Sequence, residues 1–178
     1  MLTVKRIFLN SMSTFYQKIY AGLSRPFRAK KGLLNACIFA EKGLVGVSSA
    51  AYLITVLYAF LAFEITPKTL LAVLVCPAAC LAAVSLLRKL IKRKRPYENG
   101  VESLVKKDAF GNSFPSRHTA CACVIATTVL PYSPVAGGML FAVSTWIAFF
   151  RFLFGHHYFT DLLFGALLGI TFGAIGWL

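Results

Sequence analysis

The sequence predicts an all-α fold, a polytopic membrane helix bundle of about five transmembrane helices with an amphipathic helix at the amino terminus. The first observation behind this prediction is composition, because 58% of the 178 residues are hydrophobic and the mean hydropathy is +0.71. A soluble domain of this size needs far more polar surface. The second observation is that the apolar residues lie in runs that approach the length needed to cross about 30 Å of hydrocarbon.

The amino-terminal segment has a helical pattern. Within residues 3–24, apolar side chains recur at helical spacing, while basic and hydroxyl side chains occupy the other face. Such a helix lies on a membrane surface, and packing of its apolar face against the other helices is an equally good interpretation. Arg25 and Pro26 are expected to end the helix, and a basic collar follows. This division gives a basic interfacial segment at residues 1–32 and a transmembrane domain at residues 33–178.

The spans are predicted from the longest apolar stretches, which are residues 43–63, 69–87, 118–130, 135–154 and 158–178. The first helix is expected to begin earlier, near Leu33, with Glu41 and Lys42 at the membrane interface. A turn is expected at residues 64–68. Pro77 should kink the second span, and the carbonyl that it leaves without a donor needs a partner on a neighbouring helix.

Two further features lie between and within these spans. A polar loop is predicted for residues 97–115, between the second and third spans. The last span carries a stripe of glycines, which lets a neighbouring helix approach closely. The stripe consists of Gly165, Gly169, Gly173 and Gly176. We expect it to serve packing within the bundle.

Alternating spans place several ionisable residues on one membrane face. The ends of the second and fourth spans and the starts of the third and fifth lie on the same side. The residues brought together there are Arg95, His118, Arg151 and His157. Charged groups beside apolar segments are costly unless they are paired or functional, so this set predicts a functional site.

The arginines near this face suit a phosphate. Forked donors and positive charge fit a phosphate better than a carbonyl or a sugar, and four arginines supply them: Arg88, Arg95, Arg117 and Arg151. Ser116 and the main-chain amides at the start of the third span add neutral donors, helped by the helix dipole. The sequence therefore predicts a phosphate-binding site.

Two histidines and one carboxylate predict phosphoryl transfer. Asp161 follows His157 by four residues, on the same helical face, where it can hold one ring nitrogen and leave the other free to attack phosphorus. His118 is then the candidate acid that protonates the leaving oxygen. Arginines can neutralise the charge of the transferring group, so no metal ion or other cofactor is expected.

The same residues resemble the type 2 phosphatidic acid phosphatase superfamily of membrane lipid phosphatases. The pattern of that family is a lysine, six residues and Arg-Pro; then Pro-Ser-Gly-His; then Ser-Arg, five residues, His, three residues and Asp. The three blocks in this chain are Arg88, six residues and Arg95-Pro96; Pro115-Ser116-Arg117-His118; and Phe150-Arg151, five residues, His157, three residues and Asp161. The order, the spacing and the location at span ends match.

The resemblance implies a role for each matching position. His157 would be the phosphohistidine nucleophile, Asp161 its orienting partner and His118 the general acid. The residues implied in phosphate binding are Arg88, Arg95, Ser116, Arg117 and Arg151.

The chain departs from the family pattern within each block. Arg88 stands in place of the lysine and Lys89 lies one residue out of register, so the pattern does not decide which of them contacts phosphate. Arg117 replaces a glycine, which adds a donor and narrows the pocket. Phe150 replaces a serine and removes one hydrogen bond.

Other polar residues nearby fall outside the pattern. His156 is predicted to be a loop or interface residue and not a ligand. The tract Lys92-Arg93-Lys94 is predicted to be an interfacial anchor for anionic lipid headgroups.

The leading hypothesis is a metal-independent integral membrane phosphatase that hydrolyses a lipid phosphate or diphosphate through a phosphohistidine intermediate. The resemblance offers phosphatidate, phosphatidylglycerophosphate and polyprenyl (di)phosphate as substrates, and the sequence does not choose among them. The alternative is a non-catalytic lipid-phosphate binding or transport protein. Such a protein has no need of a nucleophile with an orienting carboxylate.

The charge balance bears on partners and location. The 19 Lys and Arg residues against 6 Asp and Glu predict contact with anionic lipid headgroups, and no nucleic-acid recognition module is visible. A multi-pass protein of the cell membrane is expected. The positive-inside rule predicts a cytoplasmic active-site face, whereas many members of the family act on the outer side. The sequence leaves this face and the oligomeric state open.

Overall fold

The computed structural model of the chain describes residues 2–62, 66–106 and 110–178, with side chains from residue 16 onward except at residue 62. These residues form helices and turns with no strand among them, which confirms the all-α prediction. The helices are α1 Leu2–Ala29, α2 Lys31–Ala62, α3 Pro67–Leu70, α4 Cys76–Ile91, α5 Arg117–Val129, α6 Pro134–Leu153 and α7 Phe159–Ile175. A π-helical turn, Leu71–Val75, joins α3 to α4, and a 3₁₀ turn, Pro96–Asn99, follows α4.

Three helical stretches of the described chain are long and apolar enough to cross a membrane, and they are Lys31–Leu61, Pro67–Asn99 and Pro134–Leu153. They correspond to the first, second and fourth predicted spans. Helix α7 is apolar but has 17 residues. Helix α5 has 13 residues, so at about 1.5 Å per residue its length is about 20 Å. Membrane crossing by α5 and α7 therefore stays a prediction. Large apolar side chains such as Leu53 and Leu90 are exposed on the outer surface, as expected for a bundle that faces lipid.

Helix α5 lies at the centre of the bundle, in contact with α2, α4, α6 and α7. Three glycines of the stripe, Gly165, Gly169 and Gly173, face α5, and Gly176, just after α7, packs against Ala72. A methyl group at Gly165 would lie 2.6 Å from the carbonyl oxygen of Ser116, and one at Gly173 would lie 2.5 Å from the side chain of Thr127. The prediction that this stripe serves packing within the bundle is confirmed. Since Gly165 meets the start of α5 and Gly173 its end, the two helices run in the same direction and begin on the same side.

The second span accommodates Pro77 by a change of helix type. The π-helical turn ends just before the proline. The carbonyl oxygen of Val73, four residues earlier, would normally accept from the missing N–H of Pro77. It instead accepts a hydrogen bond from the Tyr52 hydroxyl of α2 at 2.7 Å. The prediction that a neighbouring helix satisfies this carbonyl is confirmed.

Helix α1 does not end at Arg25 and Pro26, as predicted, but continues to Ala29. An interior proline removes its own N–H and its ring crowds the carbonyl four residues earlier, which bends a helix but need not end it, since proline keeps a helical φ. The last turn is also held by packing, because Phe27 contacts the apolar cluster at the carboxyl end of α6. On the described part of α1, the face that carries Tyr16 is buried against the bundle, while the basic side chains are exposed.

Three predictions fall partly outside the described residues. Of the turn predicted at residues 64–68, the structure describes the part from Thr66, which caps α3 by accepting a hydrogen bond from the Thr69 amide at 3.1 Å. Of the loop predicted at residues 97–115, residues 107–109 lie outside the description, and the remainder is non-helical apart from the 3₁₀ turn. The side chains of the amphipathic pattern are described from residue 16 onward.

Candidate active site

His157 lies in the short connection between α6 and α7, and only 3% of the residue is exposed. Gly155, with a φ of 75°, allows the chain to turn there. Nδ1 of His157 lies 2.8 Å from the main-chain carbonyl oxygen of Ser113. A carbonyl oxygen only accepts, so in the neutral ring Nδ1 carries the proton and Nε2 carries the lone pair. The ring is held in the tautomer whose Nε2 can act as a nucleophile.

The environment of His157 also favours its neutral form. Burial lowers the pKa of His157 below the ordinary value of 6.5, and nearby Arg95 and Arg88 act in the same direction. Asp161 opposes this shift. Because the net direction is downward, the imidazole is neutral at neutral pH, as attack by Nε2 requires.

Asp161 lies in the first turn of α7 and is fully buried. Its Oδ2 accepts hydrogen bonds from the Ser113 hydroxyl at 2.5 Å and from the Tyr158 amide at 3.0 Å. The same oxygen lies 3.6 Å from Nδ1 of His157. The structure thus brings Asp161 to His157, but the direct hydrogen bond of Nδ1 goes to the Ser113 carbonyl. Asp161 acts on the ring through its charge and through Ser113.

Arg93 is the cation that neutralises Asp161. Its Nη1 lies 2.7 Å from Oδ1 of Asp161 and 2.8 Å from the hydroxyl of Thr160. The guanidinium also lies 4.4 Å from the ring centre of Tyr158, in a cation–π contact. The side chain of Arg93 is thus bound to the carboxylate of the candidate site, while headgroup anchoring by the tract Lys92-Arg93-Lys94 stays a prediction. Sequence reasoning missed this ion pair because Lys92 adopts a left-handed conformation, with a φ of 48°, that ends α4 and breaks the helical spacing.

Ser113 is a second residue that sequence reasoning missed. It is fully buried, and its hydroxyl and carbonyl bind Asp161 and His157 respectively. Its amide donates to the Arg93 carbonyl at 2.9 Å. Ser113 lies outside the three motif blocks, and nothing in the local pattern distinguishes it from other loop serines.

The other predicted arginines differ in how they are held. Arg88 lies on α4 and donates to the Pro115 carbonyl at 3.0 Å, whereas Lys89 is exposed. Arg95 is 3% exposed and donates through Nε to the Gly111 carbonyl at 3.1 Å. The structure therefore brings Arg88 and not Lys89 to the site. Contact with phosphate stays a prediction for all of them.

The residues at the start of α5 border a cavity. Ser116 is the N-cap residue of α5, is fully buried and has its hydroxyl 3.0 Å from that of Thr119. Arg117 and His118 line a cavity of about 250 Å³ whose remaining walls come from α2, α4, α5 and α6. Its other lining residues are largely apolar and are Val45, Ser48, Ser49, Leu81, Cys121, Ala122, Ile125 and Ile147. An apolar space thus leads away from the predicted general acid.

Arg151 is buried, at 8% exposed, and its Nη2 donates to the carboxylate of Glu41 on α2. The structure therefore holds this predicted phosphate ligand in a buried ion pair. Glu41 was expected at the membrane interface, and it is instead 7% exposed within the protein.

Hydrogen bonds join the three motif blocks pairwise. The first block is bonded to the second by Arg88 and the Pro115 carbonyl. Arg95 donates to the His156 carbonyl at 3.3 Å, which joins the first block to the third. The Ser116 amide donates to the Asp161 carbonyl at 2.9 Å and joins the second to the third. The blocks, far apart in sequence, therefore lie against one another, and their joint action on one phosphate stays a prediction.

A family model described as the PAP2 superfamily matches residues 69–178, more than half of the chain. The chain belongs to the PAP2 superfamily. The resemblance read from the three blocks is thereby confirmed, and with it the prediction of a membrane lipid phosphatase at the level of the family. The match begins at the second predicted span and contains every candidate residue from Arg88 to Asp161. Helices α1 and α2 lie before it.

Two solved structures resemble this PAP2 protein. LpxE from Aquifex aeolicus matches with a TM-score of 0.62 and 23% identity, over 89% of this chain and 92% of that chain. A transmembrane PAP2-type phosphatidylglycerolphosphate phosphatase from Bacillus subtilis matches with a TM-score of 0.44 and 19% identity, over 92% of this chain and 93% of that chain. The likeness to LpxE shows a shared fold. Its coverage is so large that it must include much of α1 and α2.

Proposed function

We propose that this PAP2 phosphatase hydrolyses a lipid phosphate monoester or diphosphate through a phosphohistidine intermediate, without a metal ion. The observation that carries the proposal is the state of His157. Its Nδ1 proton is held by the Ser113 carbonyl, which leaves the lone pair on Nε2 among arginines that suit a phosphate. Phosphatidate, phosphatidylglycerophosphate and polyprenyl (di)phosphate all present the required group.

In the first step, Nε2 of His157 attacks phosphorus and the bond from phosphorus to the lipid oxygen breaks. His118 donates a proton to that oxygen, and the lipid product leaves. Arg88, Arg95 and Arg151 stabilise the charge on the transferring group. In the second step, water attacks phosphorus, the bond to Nε2 breaks and His118 takes the proton from the water. With a monoester the leaving oxygen belongs to the lipid alcohol, and the products are that alcohol and inorganic phosphate. With a diphosphate the leaving oxygen is the one that bridges the two phosphorus atoms, and the products are the lipid monophosphate and inorganic phosphate.

The cavity beside His118 supports a lipid substrate. Its walls are mostly apolar and it has a volume of about 250 Å³, which suits part of a hydrocarbon chain. A lipid whose chain occupied this cavity would have its phosphate near Arg117 and His118. The leaving oxygen would then lie close to the residue proposed to protonate it.

The proposal is tested by phosphate release from a panel of detergent-solubilised lipid phosphates and diphosphates in the presence of EDTA. We expect release to persist with the chelator, and its loss would contradict the metal-free scheme. His157→Ala should abolish release without changing the unfolding temperature by more than a few degrees. Lys68→Ala is the control, because Lys68 is an exposed basic residue of α3 outside the three motif blocks, and it should retain most of the activity. Unchanged release from His157→Ala would refute the assignment of the nucleophile.

A further inference from the structure

Glu41 is a buried carboxylate that the family pattern does not include. It lies on α2, before the matched residues 69–178, and 110 positions separate it from Arg151. Both partners of this ion pair are more than nine-tenths buried. Two buried charges are costly to remove from water, and their mutual attraction repays that cost only when the remaining donors and acceptors are also satisfied.

The guanidinium of Arg151 is not fully satisfied. Its Nη2 is bonded to Glu41, but within the described part of the chain its buried Nε has no hydrogen-bond partner. An unpaired buried donor is unfavourable, and an oxyanion oxygen that bonded to it would remove the cost. A guanidinium is a rigid planar fork, so fixing one nitrogen restricts the directions in which the others can donate.

The ion pair also borders open space. Glu41, Arg151 and His156 line a cavity of about 430 Å³ together with Lys42 and Lys106. The cavity has room for a phosphate group beside the pair, and its rim carries positive charge. The His156 carbonyl, in turn, is bonded to Arg95, so one residue of the cavity wall is held by a second predicted phosphate ligand.

We propose that Glu41 is a positioning residue for Arg151, which holds the guanidinium by Nη2 so that its remaining donors meet the oxyanion of the substrate. This inference rests on the proposed function in that it requires Arg151 to bind phosphate. The bound state would then have Arg151 bridging two anions. Glu41 fixes where the guanidinium lies. Its negative charge also repels the bound phosphate, and the positive charges of the other arginines offset this repulsion.

The proposal predicts different outcomes for two substitutions. Glu41→Ala removes the acceptor and lets the guanidinium move, so it should weaken phosphate binding by about tenfold or more, since small displacements of binding groups are costly. Glu41→Gln keeps an acceptor oxygen of the same shape and removes the negative charge. It should bind phosphate at least as tightly as the natural protein. A purely structural role would lower the unfolding temperature and kcat without this contrast in affinity.

The experiment measures the Kd of inorganic phosphate by titration calorimetry on the full chain in detergent, together with KM and kcat for a lipid phosphate. Glu102→Ala is the matched control, because Glu102 is an exposed carboxylate, paired with Arg28 at 2.7 Å, and its removal should leave the Kd unchanged. In an Arg151→Ala background, Glu41→Ala should no longer weaken phosphate binding, since the positioning effect of Glu41 acts through Arg151 and only its repulsion of phosphate is left to remove.

Several results would overturn the proposal. One is a Kd that Glu41→Ala leaves unchanged, and another is tighter binding by both variants, which would make Glu41 a competitor of phosphate. If Glu41→Ala does not fold, Glu41→Asp replaces it. The shortened carboxylate should then weaken binding while Glu41→Gln does not. A natural protein that binds phosphate in a Glu41-dependent way but hydrolyses no lipid phosphate would contradict the proposed function alone. Hydrolysis with no response to Glu41 would contradict the positioning role alone.

Discussion

Replacement of Asp161 by asparagine separates two ways of orienting His157. In the structure, Nδ1 donates to the Ser113 carbonyl, and this bond does not depend on the charge of Asp161. Asp161→Asn should therefore preserve the tautomer while it removes the electrostatic support for the positive charge that the ring gains when Nε2 bonds to phosphorus. The variant should retain measurable turnover, whereas His157→Ala should have none.

The magnitude follows from the distance between the two groups. Oδ2 lies 3.6 Å from Nδ1, which at an effective dielectric constant of about 20 gives about 4–5 kcal/mol for a full charge on each group. Arg93, bound to the other carboxylate oxygen, reduces the net negative charge of Asp161. At about 1.4 kcal/mol for each factor of ten, we expect kcat to fall by about 10²- to 10³-fold.

The assay is steady-state phosphate release from a lipid phosphate, with kcat corrected for the folded fraction measured by thermal unfolding. This correction matters because the substitution also weakens the hydrogen bonds from Ser113 and Tyr158. A loss of about 10⁴-fold or more in kcat would refute the reasoning. Such a loss is typical of a carboxylate that sets the tautomer of a catalytic histidine.

Two further predictions concern pH and stability. Burial lowers the pKa of His157, and attack requires the neutral ring. In a pH–rate profile, kcat/KM should therefore fall as the pH drops through a value below 6.5. A fall of kcat/KM that already begins at or above about pH 7 would contradict this prediction. Arg93→Ala removes the cation from a fully buried carboxylate, and we expect a loss of about 1–3 kcal/mol in the free energy of unfolding, because Asp161 keeps its other donors. Denaturant unfolding measures this loss. Lys94→Ala, at an exposed position, is the control. An equal loss of unfolding free energy in both variants would contradict a specific stabilising role of Arg93.

The sequence predicted the order and approximate bounds of most helices because hydropathy and spacing are local properties. The apolar run at residues 135–154 predicts α6 to within a residue at each end. Pro77 predicts both the disturbance in the second span and the need for a donor to the freed carbonyl. The end of α1 predicted at Pro26 was wrong because a proline is tolerated within a helix whose next turn is held by tertiary packing.

The candidate site was predictable where its residues follow a spaced pattern, and the pattern predicted which side chains come together. It did not predict the residues that hold them. Arg93 was indistinguishable from its basic neighbours, since its role depends on the left-handed turn at Lys92. Glu41 and Arg151 are separated by 110 positions in the sequence. Helical periodicity relates only residues that are close in sequence, so it could not predict this ion pair.

The bonds that assemble the site explain this limit in physical terms. Arg88, Arg95 and His157 donate to the main-chain carbonyls of Pro115, His156 and Ser113. Every residue has a carbonyl, so an acceptor of this kind leaves no trace in the identity of the residue that supplies it. The consequence is that the bonds to the Pro115 and His156 carbonyls should survive substitutions that preserve the backbone conformation, whereas Ser113 must also keep the hydroxyl that donates to Asp161. In a site built in this way, the backbone path of the loops is constrained more strongly than the identity of most side chains along them.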